Sequence, residues 1–339
     1  MARATTVVLS ALLLGASAPA CSYPTHLVAG SLTALVSEPA PVPRKAAHPY
    51  RADARLAVLW VGHATALIQI DDRVILTDPV FTSTVGLLSK RLVAPGLDPE
   101  ALPPLSAVLI SHMHFDHLSL GSLERIEAKT RVALVPRGGL VYVPDFAFDT
   151  VEVAPWQTWE DRGMRMTAVP VEHTGDRYRI DGAWMTTSRT AWVVQYHGIT
   201  VYFGGDTAYE RDLFVRARAR FPRIDVALLP IAPIHPRPQK RLHHTDPGEA
   251  VQAFLDLGAR WMIPIHYDTF VNSTDAFGEP ARVLRRVIAE RRLPRGSAHI
   301  LEHGEQRVLI PRVTTRSSRP QDDSATRPGG PRSPRGPAD

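Results

Sequence analysis

A dense cluster of metal-ligand side chains constrains this chain more than any other feature of its sequence. Four such residues fall within six positions, directly after the apolar run 107–110: His112, His114, Asp116 and His117. Side chains at i and i+2 of an extended segment point to the same side, so His112 and His114 can share one ion. Asp116 and His117 lead into the helical pattern 118–128, from which they can reach a neighbouring ion. Imidazole nitrogen and carboxylate oxygen suit zinc, so the cluster predicts a metal site.

Length and composition are those of a folded protein with a sizeable core. The 339 residues allow one large domain or two ordinary ones, and the 44% hydrophobic content argues against wholesale disorder. The formal net charge is +5, which is compatible with an acidic partner. Because no basic run is interleaved with aromatic residues, we do not expect nucleic-acid binding.

The N-terminus has the pattern of a signal peptide over residues 1–20. Arg3 supplies the positive charge, 4–16 the apolar stretch and 18–20 the small-residue cleavage site. The sole cysteine, Cys21, follows this site, as in a bacterial lipoprotein signal whose cysteine is lipidated. We therefore expect export to the bacterial cell envelope, as an outer-membrane or periplasmic lipoprotein that contacts a membrane surface through Cys21. Secretion after residue 20 and an uncleaved apolar tail are the alternatives.

The rest of the chain divides into a tether, one domain and a tail. Residues 21–54 carry proline, alanine and basic residues without a sustained period, and residues 313–339 lack the apolar area that would offset ordering entropy. The domain, 55–312, begins with many strands and continues with strands that alternate with helices, a pattern that suits two sheets flanked by helices. Strands are predicted at 56–61, 66–70, 74–76, 107–110, 131–136, 150–153, 164–171, 190–196, 199–203, 224–229, 261–265 and 308–310. Helices are predicted at 118–128, 209–220, 247–257 and 281–291, and a long loop at 80–104.

Three more candidate ligands share the context of the first cluster, since each follows an apolar strand-like run: His173, Asp206 and His266. Strand ends of a layered core converge on one edge, so these residues can meet the cluster there. One ion can take His112, His114 and His173, the other Asp116, His117 and His266, and Asp206 can bridge them. Three nitrogens on the first ion leave a position open for water, as in a catalytic zinc site. Two ions can hold a hydroxide between them.

At this point the chain resembles the metallo-β-lactamase superfamily, whose His-x-His-x-Asp-His motif it carries intact. Within the superfamily it is most similar to the N-acylphosphatidylethanolamine-hydrolysing phospholipase D family and its bacterial relatives. The matching segments lie at 61–65, 76–81, 107–112, 203–209, 228–231 and 244–251. The resemblance spans about 56–270 and implies the αββα sandwich of this superfamily, an α/β (α+β) fold in four layers with two zinc ions at its edge. It also implies the ligand assignment given above.

Several positions depart from the family pattern where the family lines its substrate entrance. Thr174 stands where a tryptophan is common, and the segment 231–237 differs from the usual sequence. Asp268, in the His266–Phe270 segment, places an extra carboxylate beside the predicted metals. These departures leave the natural substrate open.

The resemblance implies a zinc-dependent hydrolase in which a metal-bound hydroxide attacks phosphorus. We expect a phosphodiesterase of phospholipase D type, acting on N-acylphosphatidylethanolamine-like lipids. Asp116 and Asp206 orient the water or accept its proton, and His244 contacts the substrate or leaving group or merely begins a helix. The loop 80–104, with Phe81, Leu87 and Leu88, can form an apolar wall for an acyl chain.

Other interpretations stay open at this stage. A lactonase or other carboxylic-ester hydrolase would use the same site on a carbonyl carbon, and a non-enzymatic surface lipoprotein would keep it as a relic. Asp78 is either a turn-capping carboxylate or a group that orients a histidine ligand. His63, His235 and His243 are expected to be structural or solvent-exposed.

Overall fold

The strands of this protein form two large sheets that pack face to face. The computed structural model describes residues 38–86, 89–178, 181 and 187–313. The predicted signal peptide, Cys21 and the tail from residue 314 onwards lie outside these residues. None of the helices in the described part of the chain is long and apolar enough to cross a lipid bilayer.

The described residues contain fifteen strands, most of them within a few residues of their predicted positions. Their bounds are β1 Ala54–Gly62, β2 Thr65–Ile70, β3 Arg73–Thr77, β4 Thr84–Val85, β5 Ser89–Lys90, β6 Ala107–Leu109, β7 Val132–Pro136, β8 Asp149–Val153, β9 Thr158–Asp161, β10 Met164–Val169, β11 Ala191–Tyr196, β12 Ile199–Phe203, β13 Val226–Pro230, β14 Trp261–Ile265 and β15 Gln306–Pro311. The prediction missed β9, and the long loop contains β4 and β5, which form a two-stranded ribbon.

Five α-helices lie on the outer faces of the sheets or in the loops between strands. They are α1 Leu120–Ile126, α2 Arg211–Arg220, α3 Arg237–Lys240, α4 Pro247–Leu257 and α5 Glu279–Glu290. The capping box predicted for α4 is present: Asp246 accepts a hydrogen bond from the Glu249 backbone, and the Glu249 side chain accepts one from the Asp246 backbone. This box fixes the start of α4 directly after His244 and Thr245.

The seven-stranded sheet has the order β15-β1-β2-β3-β6-β7-β8, and the six-stranded sheet the order β14-β13-β12-β11-β10-β9. In the first sheet β1, β2 and β3 are antiparallel neighbours and β3 is parallel to β6, so β1, β3 and β6 run in one direction. In the second sheet β10, β12 and β14 share a direction for the same reason. The carboxyl ends of these strands therefore lie at one edge of each sheet.

Side-chain alternation divides the core into layers. Leu56, Val58 and Trp60 of β1 belong to the large cluster between the sheets, whereas Leu59 and Val61 belong to a second cluster. Leu123 and Ile126 of α1 cover that second cluster. On the side of the six-stranded sheet, three helices contribute residues to the large cluster: Phe214 of α2, Phe254 of α4 and Leu284 of α5. The arrangement is helix, sheet, sheet, helix, which confirms the predicted αββα sandwich.

The described part of the predicted tether contacts the domain. Ala40 donates its backbone N–H to Leu92 O at 2.8 Å and accepts one from Ala94 at 2.9 Å. Contacts with the domain thus extend N-terminal of residue 55, while the domain boundaries themselves stay a prediction.

Candidate metal centre

Every predicted ligand follows a strand whose carboxyl end lies at the same edge of the sandwich. The 112–117 segment follows β6, His173 follows β10, Asp206 follows β12 and His266 follows β14. His266 has a left-handed backbone with φ of 65°, which turns the chain sharply where β14 ends. The two sheets thus each contribute side chains to one place.

The first group of nitrogens consists of His112, His114 and His173. His112 Nε2 lies 2.8 Å from His114 Nδ1, and His173 Nε2 lies 3.4 Å from the same atom. These are the three residues that the sequence assigned to one ion. All three atoms are close enough to bind a single cation.

The second group surrounds one oxygen of Asp206. Asp206 Oδ2 lies 3.0 Å from His266 Nε2, 3.3 Å from His117 Nε2 and 3.8 Å from His173 Nε2. Asp116 Oδ2 lies 4.0 Å from His117 Nε2. Because His173 belongs to the first group, Asp206 stands between the two groups, where a bridging carboxylate would be.

The histidine rings are oriented by hydrogen bonds on the side away from the cluster. Nδ1 of His117 is bonded to Asp78 Oδ2 at 2.7 Å, that of His173 to His243 O at 2.8 Å and that of His266 to Ala232 O at 3.0 Å. Carboxylate and carbonyl oxygens only accept, so each Nδ1 carries a hydrogen and each Nε2 is the atom left to bind a metal ion.

Several buried atoms at the centre lack a hydrogen-bond partner. Among the described residues, His117 Nε2, His266 Nε2 and Asp206 Oδ1 are buried and unpaired. Leaving such atoms unsatisfied is costly, and bound divalent cations would satisfy them. Imidazole and carboxylate donors at these separations therefore fit metal ions.

The electrostatics of the cluster also favour a cation. Burial lowers the pKa of His173 to about 3 and that of His112 well below its usual value, so both rings are neutral, as ligands must be. Burial alone would do the same to His117, but Asp206, Asp78 and Asp116 outweigh it and hold its pKa well above the ordinary value. Positive charge is thus favoured where the carboxylates converge. In the part of the chain that the structure describes, the ion-pair partners of Asp116 and Asp206 are histidines.

His63 was expected to be either structural or solvent-exposed, with no role at the site. The structure excludes the second alternative. The side chain is fully buried, and its Nε2 lies 3.0 Å from Asp116 Oδ2. Its ring contacts that of His266, with the centroids 4.0 Å apart and the ring planes tilted by 40°. The available signal was its position directly after β1, the context that singled out His173, Asp206 and His266.

The structure decides between the two interpretations of Asp78, a turn-capping carboxylate or a group that orients a histidine. Asp78 accepts hydrogen bonds from Ser111 N at 2.7 Å, from Ser111 Oγ at 2.6 Å and from His117 Nδ1 at 2.7 Å. It therefore orients a histidine of the cluster and fixes the backbone at the start of the 111–117 segment.

The remaining candidates lie at the rim or away from the cluster. His244 Nδ1 lies 3.5 Å from Asp206 Oδ2, and its side chain is 15% exposed. His235 is half exposed and lies beside Glu279, as expected for a surface residue. The Asp268 carboxylate accepts a hydrogen bond from the Gly278 backbone at 2.8 Å and does not belong to the metal-ligand groups found among the described residues.

A groove opens beside the first group of ligands. Its volume is about 680 Å³, and its lining includes His114, His173, His244 and Thr174. It is also lined by residues 238–240, Leu242 and His243. Phe81, predicted to line an acyl-chain wall, is instead buried in the cluster under α1, because its position follows β3 into the core. Leu87 and Leu88 lie outside the described residues.

Comparison with known proteins identifies the family. Residues 73–267 match the beta-lactamase superfamily domain. The chain belongs to the metallo-β-lactamase superfamily. This match covers more than half of the sequence and contains all the predicted ligands.

Within the superfamily, the chain is similar to two proteins and to one solved structure. It is 34% identical over 259 residues to an uncharacterised protein of Mycobacterium tuberculosis, covering 72% of this chain and 68% of that protein. It is 32% identical over 241 residues to the mitochondrial N-acyl-phosphatidylethanolamine-hydrolyzing phospholipase D of Saccharomyces cerevisiae, covering 66% of this chain and 50% of that protein. A possible metal-dependent hydrolase from Veillonella parvula has the same fold, with a TM-score of 0.58 at 17% identity over 75% of this chain and all of that one. The chain is thus a metal-dependent hydrolase of this fold, related to that phospholipase D family.

Proposed function

We propose that this protein is a zinc-dependent phosphodiesterase of phospholipase D type that acts on N-acylphosphatidylethanolamine-like lipids. The observation that carries the proposal is the similarity to the yeast phospholipase D, together with a related Caenorhabditis elegans protein 28% identical over 268 residues. A cluster of histidines and carboxylates beside an open groove is the site that such a reaction requires.

In this proposal two zinc ions are held by seven residues: His112, His114, Asp116, His117, His173, Asp206 and His266. When bound, the metal supplies Lewis-acid polarisation of the phosphoryl oxygen and lowers the pKa of water. Asp116 and Asp206 are the carboxylates that orient the attacking water and accept its proton. His244, between Asp206 and the groove, contacts the substrate or the leaving group.

We further propose that the protein works at a membrane surface of the bacterial cell envelope. The support is the sequence 18–21, in which a small-residue cleavage site precedes the single cysteine. Metabolic labelling with a radioactive fatty acid tests this directly. The wild-type chain is expected to incorporate label and to fractionate with membranes, whereas Cys21→Ser is expected to do neither. An unlabelled wild-type protein would contradict lipidation.

The activity is tested with purified, zinc-loaded protein on three kinds of substrate: an N-acylphosphatidylethanolamine, bis-p-nitrophenyl phosphate and a panel of lactones. We expect turnover of the lipid with release of phosphatidic acid, and slower turnover of the small diester. Turnover of lactones alone would replace this proposal with a carboxylic-ester hydrolase.

The metal requirement is tested on the same preparations. Elemental analysis is expected to find two zinc ions per chain, chelation to abolish turnover and added zinc to restore it. The double variant His112→Ala, Asp206→Ala should lose activity, while His197→Ala, at the exposed turn between β11 and β12, serves as the control. Unchanged turnover in the double variant would mean that the site is not catalytic, as in the relic interpretation.

A further inference from the structure

We propose that Arg177 is a positioning residue that clamps the 113–118 segment and so sets the places of the metal ligands His114, Asp116 and His117. The inference rests on the metal centre and not on the identity of the substrate. Arg177 lies outside the predicted ligand set, and no role was predicted for it.

One nitrogen of Arg177 is hydrogen-bonded to both ends of the 113–118 segment. Nη1 donates to Met113 O at 2.8 Å and to Leu118 O at 2.9 Å. These two carbonyls flank the four consecutive residues 114–117, three of which are candidate ligands. A single rigid donor group therefore fixes the distance between the two ends of the ligand segment.

The middle of the segment is held by the same guanidinium. Its carbon lies 4.2 Å from the ring centroid of Phe115, a cation–π contact. Within the segment, His117 N and Leu118 N both donate to His114 O, at 3.0 and 2.8 Å. These bonds close one turn within the segment. The contacts with Arg177 attach that turn to the rest of the fold.

Arg177 is itself anchored, through Asp181, to the 3₁₀ turn that follows β7. The Asp181 carboxylate accepts hydrogen bonds from Arg177 N at 3.0 Å and Tyr178 N at 2.9 Å. It also accepts one from the hydroxyl of Tyr142, which lies in the short 3₁₀ turn Leu140–Tyr142 after β7. The clamp thus connects the ligand segment after β6 to the turn that follows β7, the adjacent strand of the same sheet.

The chemistry of the clamp calls for arginine. Arg177 is 7% exposed, and among the described residues no carboxylate lies within ion-pair distance of its guanidinium. Burying a cation in this way is costly unless its hydrogen-bond donors are used. A planar guanidinium can donate to two carbonyls while its face rests on a ring, whereas the compact lysine ammonium cannot do both.

The chain offers a matched control in Arg91. This arginine is 1% exposed and donates to Thr82 O at 3.0 Å and Val93 O at 3.3 Å, and also to Val80 O. Its guanidinium lies over Phe270 at 4.8 Å. Arg91 therefore has the same burial and kind of contacts as Arg177, but the segment 80–93 that it holds carries none of the predicted ligands.

The decisive measurement is metal affinity, which does not depend on finding the substrate. The purified proteins are stripped of metal and titrated with Zn²⁺ in competition with a chromophoric chelator, and thermal unfolding of the metal-free forms is recorded in parallel. We expect Arg177→Met to weaken zinc binding about 10- to 100-fold, the range typical of residues that support metal ligands. Arg91→Met should lose thermal stability but keep its affinity within about 3-fold.

A second variant guards against failure to fold. Arg177→Lys keeps the charge but cannot span both carbonyls, so we expect weaker zinc binding and an altered visible spectrum of the Co²⁺-substituted protein. If Arg177→Lys binds zinc as tightly as wild type with an unchanged spectrum, or if Arg177→Met and Arg91→Met weaken binding equally, Arg177 is a structural residue only. If the wild type lacks phospholipase activity, the proposed function is wrong, but the zinc affinities and Co²⁺ spectra still decide the role of Arg177.

Discussion

The Asp78 carboxylate and the His117 imidazole form a fully buried pair, with Oδ2 and Nδ1 2.7 Å apart. Asp78 is held in turn by the backbone and the hydroxyl of Ser111, the residue that precedes His112. The pair keeps a hydrogen on Nδ1 of His117, which leaves Nε2 as the atom that can bind a metal ion. One carboxylate thus determines which atom of a candidate ligand faces the metal centre.

Asp78→Asn should disrupt this control while preserving the size of the side chain. An amide oriented to accept from Ser111 N turns its NH₂ group towards His117 Nδ1, which favours the wrong tautomer of the ring. We expect zinc affinity to fall about 10- to 100-fold, as measured by chelator competition. Asp98→Asn, at an exposed ion pair with Lys45, is the control and should bind zinc normally. Equal affinities of the two variants would contradict this role for Asp78.

His63 should act by donating a hydrogen bond to Asp116 rather than by binding metal. Its Nδ1 has no hydrogen-bond partner in the described part of the chain, unlike the anchored Nδ1 atoms of His117, His173 and His266. His63→Gln offers an amide donor at a similar reach to Nε2, so we expect zinc affinity within about 3-fold of wild type. His63→Leu removes the donor and should lose about 10-fold. If the glutamine variant loses zinc as fully as the leucine variant, His63 is itself a ligand.

Gly205→Ala should destabilise the protein and displace Asp206. Gly205 has φ of 57°, and an added Cβ would lie 2.4 Å from the Ser111 Cβ. Backbone strain and overpacking together predict a loss of at least about 2 kcal/mol in the free energy of unfolding. Gly198→Ala is the matched control, because Gly198 has φ of 78° but no atom within 4 Å of the added Cβ. Chemical denaturation of both variants measures the difference, and similar losses would exclude the contact with Ser111 as the cause.

His303 should make the fold less stable in acid. Burial, with a contribution from the positive charge of Arg91, lowers the pKa of His303 to about 4, against about 6.5 in an unfolded chain. Between these values the unfolded chain binds more protons, so stability falls as the pH drops from 6.5 and levels off below 4. The loss should reach about 3 kcal/mol.

The contribution of His303 is isolated by comparison with His303→Gln, which can still donate to Thr269 Oγ1, the partner of His303 Nε2 at 3.1 Å. Denaturation of the metal-free proteins at several pH values is expected to show that the stability of the wild type falls more steeply than that of the variant between pH 6.5 and 4. Parallel curves would contradict the assignment.

The local part of the centre could be predicted because His112 and His114 are close in sequence and spaced for one ion. That the distant candidates His173, Asp206 and His266 would meet this cluster could be predicted because each follows an apolar strand, and parallel strand ends meet at one edge. The sandwich itself followed from the order of strands and helices, and the structure confirms it.

The supporting residues could not be predicted in this way. His63 also follows a strand, but no neighbouring ligand-type residue marked it, and its role depends on a tertiary contact with Asp116. Arg177 contacts two backbone carbonyls about sixty residues away, and carbonyl positions leave no trace in side-chain spacing. Strand β9 was missed because its sequence, 158–161, is short and half-exposed, without an apolar run.

The supply of candidate ligands from both sheets has a mechanical consequence. One sheet provides the segment 112–117, and the other provides His173, Asp206 and His266. Any ion bound by residues of both sheets therefore cross-links the two layers at their open edge. At a free metal concentration a thousandfold above the dissociation constant, mass action adds about 4 kcal/mol against unfolding. Scarcity of metal would therefore loosen the sandwich itself, and resistance to proteolysis would report how fully the protein is loaded.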